Sequence, residues 1–342
     1  MKLKSKLTPR LFIFVSMKKL ILFTGLLFLS AAGFSQYRMD FGLKLGGTNY
    51  LGEMGGLQED GKDFIADIKL QATRPAIGAF ISYELSPQFF VGGSITYGRI
   101  MGADSLSEAG ARYTRNLHFR NDIFEVAVRG ELTLLDVFDI TTKSWLKTHL
   151  RAYGYLGIAG YYHNPKAQFF YDENLHDPSL QQYDNQWVKL APLKTEGQEV
   201  AYRNIGFSIP HGVGVAITHN KRYRIGFEIG WRTTFTDYLD DASTVFANPT
   251  LMKEEGNHLG AAMSNRTYEK FDYHPNGYKH GDFAAGAIRG DPTDNDTYIF
   301  STINLSYVIK GQRRLYRRRN AFNNKRKRRI RRTRNRLFTP KF

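Results

Sequence analysis

From Tyr37 onward the chain alternates apolar with polar or small residues, stretch after stretch. Tyr37, Met39, Phe41, Leu43 and Leu45 alternate with Arg38, Asp40, Gly42, Lys44 and Gly46. Phe124, Val126, Val128, Leu132 and Leu134 alternate with Glu125, Arg129, Glu131 and Thr133. Ile205, Phe207, Ile209, Val213, Val215 and Ile217 are interleaved with Gly206, Ser208, Gly212 and Gly214. Tyr223, Ile225, Phe227, Ile229, Trp231 and Phe235 are interleaved with Arg224, Glu228, Arg232 and Thr234. Successive side chains on a strand point to opposite faces, so each stretch has one apolar face and one face of charges and glycines. Weaker versions of the period run through 76–84, 89–101, 148–162 and 297–309. The pattern predicts eight strands, most longer than the roughly five or six residues of a soluble strand. A tilted strand crossing a bilayer takes about 9–11 residues, which these supply.

The connections fall at 47–75, 85–88, 102–120, 136–147, 163–203, 219–221 and 237–296, each odd one long and each even one shorter. Outer-membrane barrels show this asymmetry, with short periplasmic turns and long outer loops. The fold predicted is all-β: an eight-stranded antiparallel transmembrane β-barrel over 36–310, with long extracellular loops and its C-terminus in the periplasm. A soluble all-β barrel, apolar face inward, is the alternative. On the inward face of the membrane barrel lie Arg38, Asp40, Lys44, Glu125, Arg129, Glu131, Arg151, Arg224, Glu228 and Arg232. Eight strands enclose only enough space for side chains to fill. A lumen plugged by an ion-pair network, with Arg129, Glu131, Arg224, Glu228 and Arg232 as members, is therefore expected rather than a solute channel.

The two ends differ from the body. From Met17 the chain reads "MKKLILFTGLLFLSAAGFSQ": two lysines, an apolar core, then small residues. That is the form of a secretory signal peptide cleaved before Gln36, giving residues 1–35 as the leader. Residues 1–16 read as an upstream over-call of the start. Residues 311–342 hold 15 Lys or Arg and no acid, which is nearly all of the net +16 of the chain. Between Gln36 and Lys310 there are 27 basic against 32 acidic residues, so the body is mildly acidic. The sequence has no cysteine, which excludes disulfides, thiolate metal sites and a lipoprotein anchor.

Export removes a nuclear or nucleic-acid role from the basic tail 311–342. Leu315, Phe322, Ile330 and Leu337 interrupt its charge at spacings that form one stripe on a helix. Arginine predominates, favouring bidentate contact with carboxylate or phosphate. Fully extended, the tail reaches roughly 100 Å. It reads as a periplasmic docking arm whose partner-binding residues are Arg317, Arg318, Arg319, Arg326, Arg328, Arg329, Ile330, Arg331, Arg332 and Leu337.

Catalytic and metal chemistry is not evident. No Gly-x-Ser-x-Gly elbow occurs, "GFSIP" at 206–210 lacking the last glycine, and the nine histidines have no spacing that suggests a site. His274, His280 and Asp282 share one loop without a metal-ligand pattern, and neither cofactor nor metal is expected. "TDYLDD" (236–241) follows the seventh strand at the outer rim, where Asp237, Asp240 and Asp241 either fix the root of the last loop or collect oxygen ligands for calcium.

"NYLGEMGG" (49–56), "TRPAIGAF" (73–80), "RNLHFRNDIFE" (115–125) and "FTDYLDD" (235–241) together resemble the PorG-like outer-membrane barrels associated with the type IX secretion system. The resemblance spans roughly 36–310. It implies a non-catalytic outer-membrane barrel that associates with the machine's periplasmic ring, built from a lipoprotein and its partner protein. The tail would then tie that ring to outer-membrane lipid. Three other roles remain: a surface receptor or adhesin using loop aromatics such as Phe169, Phe170, Tyr171, Tyr183 and Trp187; an enzyme acting on lipid or peptide at the outer rim, disfavoured by the missing nucleophile arrangement; or a barrel whose tail binds lipid A or peptidoglycan.

Overall fold

Each period-two stretch forms a strand, and each strand hydrogen-bonds to its neighbours in chain order. The computed structural model describes residues 38–52, 54, 70–106, 110–138, 148–220, 222–269 and 283–310. Its strands are β1 (Arg38–Leu51), β2 (Arg74–Glu84), β3 (Phe89–Ala103), β4 (His118–Phe138), β5 (Thr148–Tyr162), β6 (Pro165–Gln168), β7 (Trp187–Lys189), β8 (Ile205–His219), β9 (Tyr223–Thr234) and β10 (Thr297–Lys310). The eight long ones run in the order β3-β2-β1-β10-β9-β8-β5-β4, and β3 also pairs with β4 along its whole length, from Phe89↔Leu132 to Ala103↔His118. The sheet therefore returns on itself as a closed antiparallel eight-stranded barrel, which leaves no long unpaired edge.

The chain divides into two units. The barrel wall and its loops belong to Asp40–Tyr83 with Pro87–Val308. The other comprises 1–39, 84–86 and 309–342, of which the described residues are strand ends and the turn at 84–86. The expected leader 1–35 and the basic tail 311–342 lie outside the described residues, as do His274, His280, Asp282 and the side chain of Arg38.

The barrel is built inside out relative to a soluble one. Ile158 is 72% exposed and Phe207 71%, whereas Lys44, Glu228 and Arg232 are each 2% exposed. Burying an Ile or Phe side chain is worth about 1.5–3 kcal/mol, so a wall of them turned outward is stable only against hydrocarbon. This is a membrane-spanning barrel, and the soluble alternative fails on these faces. Aromatic residues mark both ends of the apolar wall. Phe89 and Tyr223 are exposed at the short-turn end, where Tyr223 and Phe41 both pack against Tyr307. Tyr97, Phe124 and Tyr162 stand directly opposite one another across β3, β4 and β5 at the long-loop end. Such girdles sit at the two interfaces of a bilayer.

Close packing inside explains the glycines that alternate along β8. The inward Tyr153, Tyr155 and Tyr161 of β5 lie opposite Gly214, Gly212 and Gly206. A Cβ at Gly214 would stand 2.5 Å from the Tyr153 ring, and one at Gly206 2.6 Å from the Tyr161 ring. Only glycine lets those rings lie against the sheet.

Two differences from the sequence pattern have physical causes. β4 begins at His118 rather than at 121, because Phe119 continues the inward face of Asn121 and Ile123 above the apolar wall. Leu134 and Leu135 are both exposed, since a β-bulge shifts the register against β5 between Thr133 and Leu135.

Candidate functional site

The barrel interior is layered, and its lower half holds charge. Glu228 is the hub. Lys44 Nζ donates to its Oε1 at 3.0 Å and Arg129 Nη1 donates to the same oxygen at 2.7 Å. Tyr153 Oη and Asn304 Nδ2 donate to Oε2 at 3.1 and 3.3 Å. Arg129 Nη2 reaches Glu131 Oε1 at 3.0 Å, and Arg151 pairs with the other Glu131 oxygen. Arg224 pairs with Asp40 toward the short-turn end and donates to Thr218 Oγ1 at 2.9 Å. Above the hub, Arg232 forks onto Glu125 at 3.2 and 3.3 Å, and Tyr298 Oη donates to Glu125 at 2.9 Å. Aromatic rings complete the packing: Arg129 lies 4.4 Å over Tyr155, Arg151 4.0 Å over Phe90, and Arg232 4.5 Å over Phe300. A cavity of about 20 Å³ near Asp40, Arg151 and Arg224 leaves room for little more than one water.

The upper mouth is closed by apolar side chains. Tyr50, Ile100, Leu117, Phe119, Ile123, Tyr161, Tyr298 and Phe300 form one cluster with Leu239, which descends from "TDYLDD" and is fully buried. Its backbone is fixed on both sides: Asn121 Nδ2 donates to the Leu239 carbonyl at 2.7 Å, and Leu239 N donates to Asp296 Oδ2 at 2.8 Å. Charge below and a hydrophobic stopper above fill the lumen.

Beyond the mouth the two longest loops form a folded cap. Residues 163–204 contribute β6 and β7. Residues 235–296 contribute α2 (Pro249–Glu254) and α3 (His258–Ser264), and α1 (Gly110–Arg115) stands in the loop before β4. Asn248 and Asn257 cap α2 and α3 through Thr250 N and Gly260 N, each at 3.0 Å. The loops share an apolar cluster of Ala167, Phe169, Leu180, Leu190 and Met263. They also share a buried ion network. Arg289 donates to Glu196 Oε1 at 3.1 Å and to Asp241 Oδ2 at 3.2 Å. Thr195 and Tyr202 hydroxyls donate to Asp241 at 2.5 and 2.7 Å. Ser243 N, Thr244 N and Thr244 Oγ1 donate to Glu196.

Tyr50 joins wall to cap, with its hydroxyl 2.7 Å from Asp240 Oδ2 and 2.5 Å from Asp296 Oδ1. Burial, then the nearby Asp240 and Asp237 charges, raise the Asp296 carboxyl well above the usual range. A protonated Asp296 donating to the Tyr50 oxygen, while Tyr50 donates to Asp240, satisfies all three groups with one proton each way.

The root of the 163–204 loop carries a pH-sensitive contact. His163 Nε2–H donates to the Arg203 carbonyl at 3.0 Å, and its ring stacks on Tyr202. Its Nδ1 is buried without a partner among the described residues, so a second proton would find no acceptor. Burial accordingly lowers the His163 pKa from 6.5 to about 4. The fold binds neutral His163 and the opened loop takes the proton, so this contribution is complete above pH 6.5. It is lost as pH falls through about 4, up to about 3 kcal/mol in all. Proteolytic nicking within 163–204 should accelerate over that window more in the wild type than in His163→Gln, where His118, lowered by burial to about 3, and His176 still act in the same direction. Asp296 acts with the opposite sign in the other loop, so the difference between the two proteins is the readout. Equal profiles would sink the assignment.

The structure thus brings Arg129, Glu131, Arg224, Glu228 and Arg232 into the lumen, together with Lys44, Asp40, Glu125 and Arg151. Asp240 and Asp241 hydrogen-bond at the root of the last loop, and Asp237 is buried beside them. Among the described residues no group of three or more His, Asp or Glu is arranged to hold a metal ion. Phe169 is a correction. Read from the sequence as surface contact, it is fully buried in the cap, with Tyr171 and Tyr183 packed against the same cluster, because β6 and β7 pair and turn it inward. Glu196 and Arg289 gave no sequence signal, being 93 residues apart in featureless loops.

Wall, filled lumen and cap define a membrane-spanning β-barrel with a closed interior. Residues 18–252 match the family described as "Domain of unknown function (DUF6089)", and the chain belongs to that family. The match leaves β10 and the basic tail outside it. No curated protein matches the chain. Among solved structures it is similar to Ail, the attachment invasion locus protein of Yersinia pestis, in complex with the heparin analogue sucrose octasulfate. That match has 10% identity over 80% of this chain and 97% of that one, with a TM-score of 0.31. It is also similar to the N-terminal β-barrel domain of Pseudomonas aeruginosa OprF, at 7% identity over 80% and 98%, with a TM-score of 0.29. The barrel assignment rests on the strand pairing itself.

Proposed function

We propose that the protein is a non-catalytic outer-membrane barrel that anchors a periplasmic assembly, the ring of a type IX secretion and gliding-linked machine, through its basic C-terminal tail. The carrying observation is the filled lumen. Nine charged side chains and an apolar stopper leave no conduit, so the barrel serves as a fixed point in the membrane and not as a pore. The "NYLGEMGG" and "FTDYLDD" segments supply the resemblance behind the choice of machine, and they include Tyr50 and Leu239, which close the mouth. The ring lipoprotein and ring protein are the partners of this reading. Its contacts are the arginines between Arg317 and Arg332 with Ile330 and Leu337, in a segment carrying +15.

The test is gentle detergent purification of the full-length protein and a form truncated after Lys310, with co-purifying proteins identified. Ring components accompanying only the full-length form are expected. Ring components with both forms would place the contact on the barrel. If neither form brings them, the tether fails, and the folded cap becomes the working surface of a receptor or adhesin.

A further inference from the structure

A row of like charges crosses the outer wall just beyond the apolar belt. Arg120 of β4 pairs directly with Lys166 of β6, and Lys166 pairs directly with Lys189 of β7. Directly opposed side chains in a sheet share a face, with Cβ atoms about 4.5–5.5 Å apart, and like charges in that arrangement are destabilising. Asp122 and Phe124 follow Arg120 at alternate positions of β4, so the row faces the same way as the lipid-facing Phe124. Arg99 of β3, opposite Asp122, joins the cluster.

Among the described residues, strand pairing thus brings four cations into one row with one carboxylate, Asp122. That carboxylate is already engaged: Arg99 Nε and Tyr97 Oη both donate to Asp122 Oδ1, at 2.6 and 2.9 Å. Arg120 Nε is buried with no hydrogen-bond partner among the described residues. Arg120 is held in place all the same, its guanidinium 3.9 Å over the Trp187 ring. A half-buried, oriented arginine with an open donor beside two lysines is a site prepared for a divalent oxyanion.

Its height identifies the source of that anion. Arg120 lies four residues beyond Phe124, or about 13 Å along the strand. The cluster therefore sits where lipid headgroups begin, above the Tyr97–Phe124–Tyr162 girdle. We propose that Arg120, Lys166 and Lys189, with Arg99 beside them, bind the phosphate of an outer-leaflet lipid headgroup, with acyl chains lying against the wall below. The bound phosphate relieves the repulsion within the row and fixes β6 and β7, hence the base of the cap, to the membrane surface. This rests on the outer-membrane reading with long loops outside, which surface proteolysis of the cap in intact cells checks separately.

The experiment uses the full chain, purified in a neutral detergent and mixed with lipid A carrying two phosphates, dephosphorylated lipid A, or inorganic phosphate. Retained ligand is measured by native mass spectrometry. The variant is Arg120→Gln, Lys166→Gln, Lys189→Gln, and the charge-loss control is Arg203→Gln, Lys253→Gln. Heat-modified gel mobility reports that each is folded. Lipid A is expected to bind the wild type and control, with affinity about 10–100-fold weaker in the triple variant and for the dephosphorylated form. Equal retention by wild type and triple variant overturns the site. Inorganic phosphate competing as well as lipid A overturns the lipid as its source. If the triple variant fails to fold, Lys166→Gln with Lys189→Gln, both on loop strands outside the closed barrel, is read the same way.

Discussion

Replacing Glu228 with Ala should cost the barrel about 3–5 kcal/mol, the scale for removing one member of a buried ion cluster. Glu228 accepts from four donors, two of them the cations Lys44 and Arg129, and all are buried. Among the described residues, Lys44 would then have no ion-pair partner left, and Arg129 would keep Glu131 alone. The neighbouring cavity of about 20 Å³ admits too little water to replace the carboxylate. Glu228→Gln keeps the shape and one acceptor, so its loss should be smaller. Adding Lys44→Met to Glu228→Ala removes one orphaned cation and should recover part of the stability. Urea unfolding from lipid vesicles, followed by tryptophan fluorescence, measures all three. A loss below about 1 kcal/mol for Glu228→Ala would mean that the hub is solvated and the lumen open.

How much of this could be read from the chain follows from how local each signal is. The wall was legible because one residue's face is decided by its neighbours two positions away. Phe41, Val128 and Ile217 could be assigned outward, and Lys44, Arg129 and Glu228 inward, without knowing any pairing. Who meets whom inside was not legible, since Lys44 and Glu228 are 184 residues apart and meet only once the barrel closes. The row Arg120–Lys166–Lys189 was hidden for the same reason. Within the loops the period is broken by short elements: "PKAQ" and "WVK" are too brief to stand out, yet they turn Phe169 inward. The cap could be expected as a place but not as a fold. One trace of it was present, in the three aspartates of "TDYLDD", whose buried partners Tyr50, Arg289 and Thr195 come from three other parts of the chain.

Those partners set the second large effect. Arg289→Ala should release the cap while leaving the barrel closed. Arg289 is fully enclosed, pairs with Glu196 and Asp241, and its backbone carbonyl accepts from Arg115 Nη1 at 2.6 Å. Removing the guanidinium leaves two buried carboxylates facing each other through a void, at a cost of about 3–5 kcal/mol. That cost falls on the cap, because the wall is held by its own strand pairing and neither carboxylate lies on a barrel strand. Hydrogen exchange should therefore rise across 191–202 and 236–247 while the inner positions of β8 and β9 stay protected. Gel mobility of the folded barrel should not change. Glu196→Gln in the Arg289→Ala background removes one of the two stranded charges, and protection should partly return. If exchange rises through β8 and β9 as well, cap and barrel are one cooperative unit. Leu239 and Tyr50, which occupy both, would then be the link that carries unfolding from the rim into the wall.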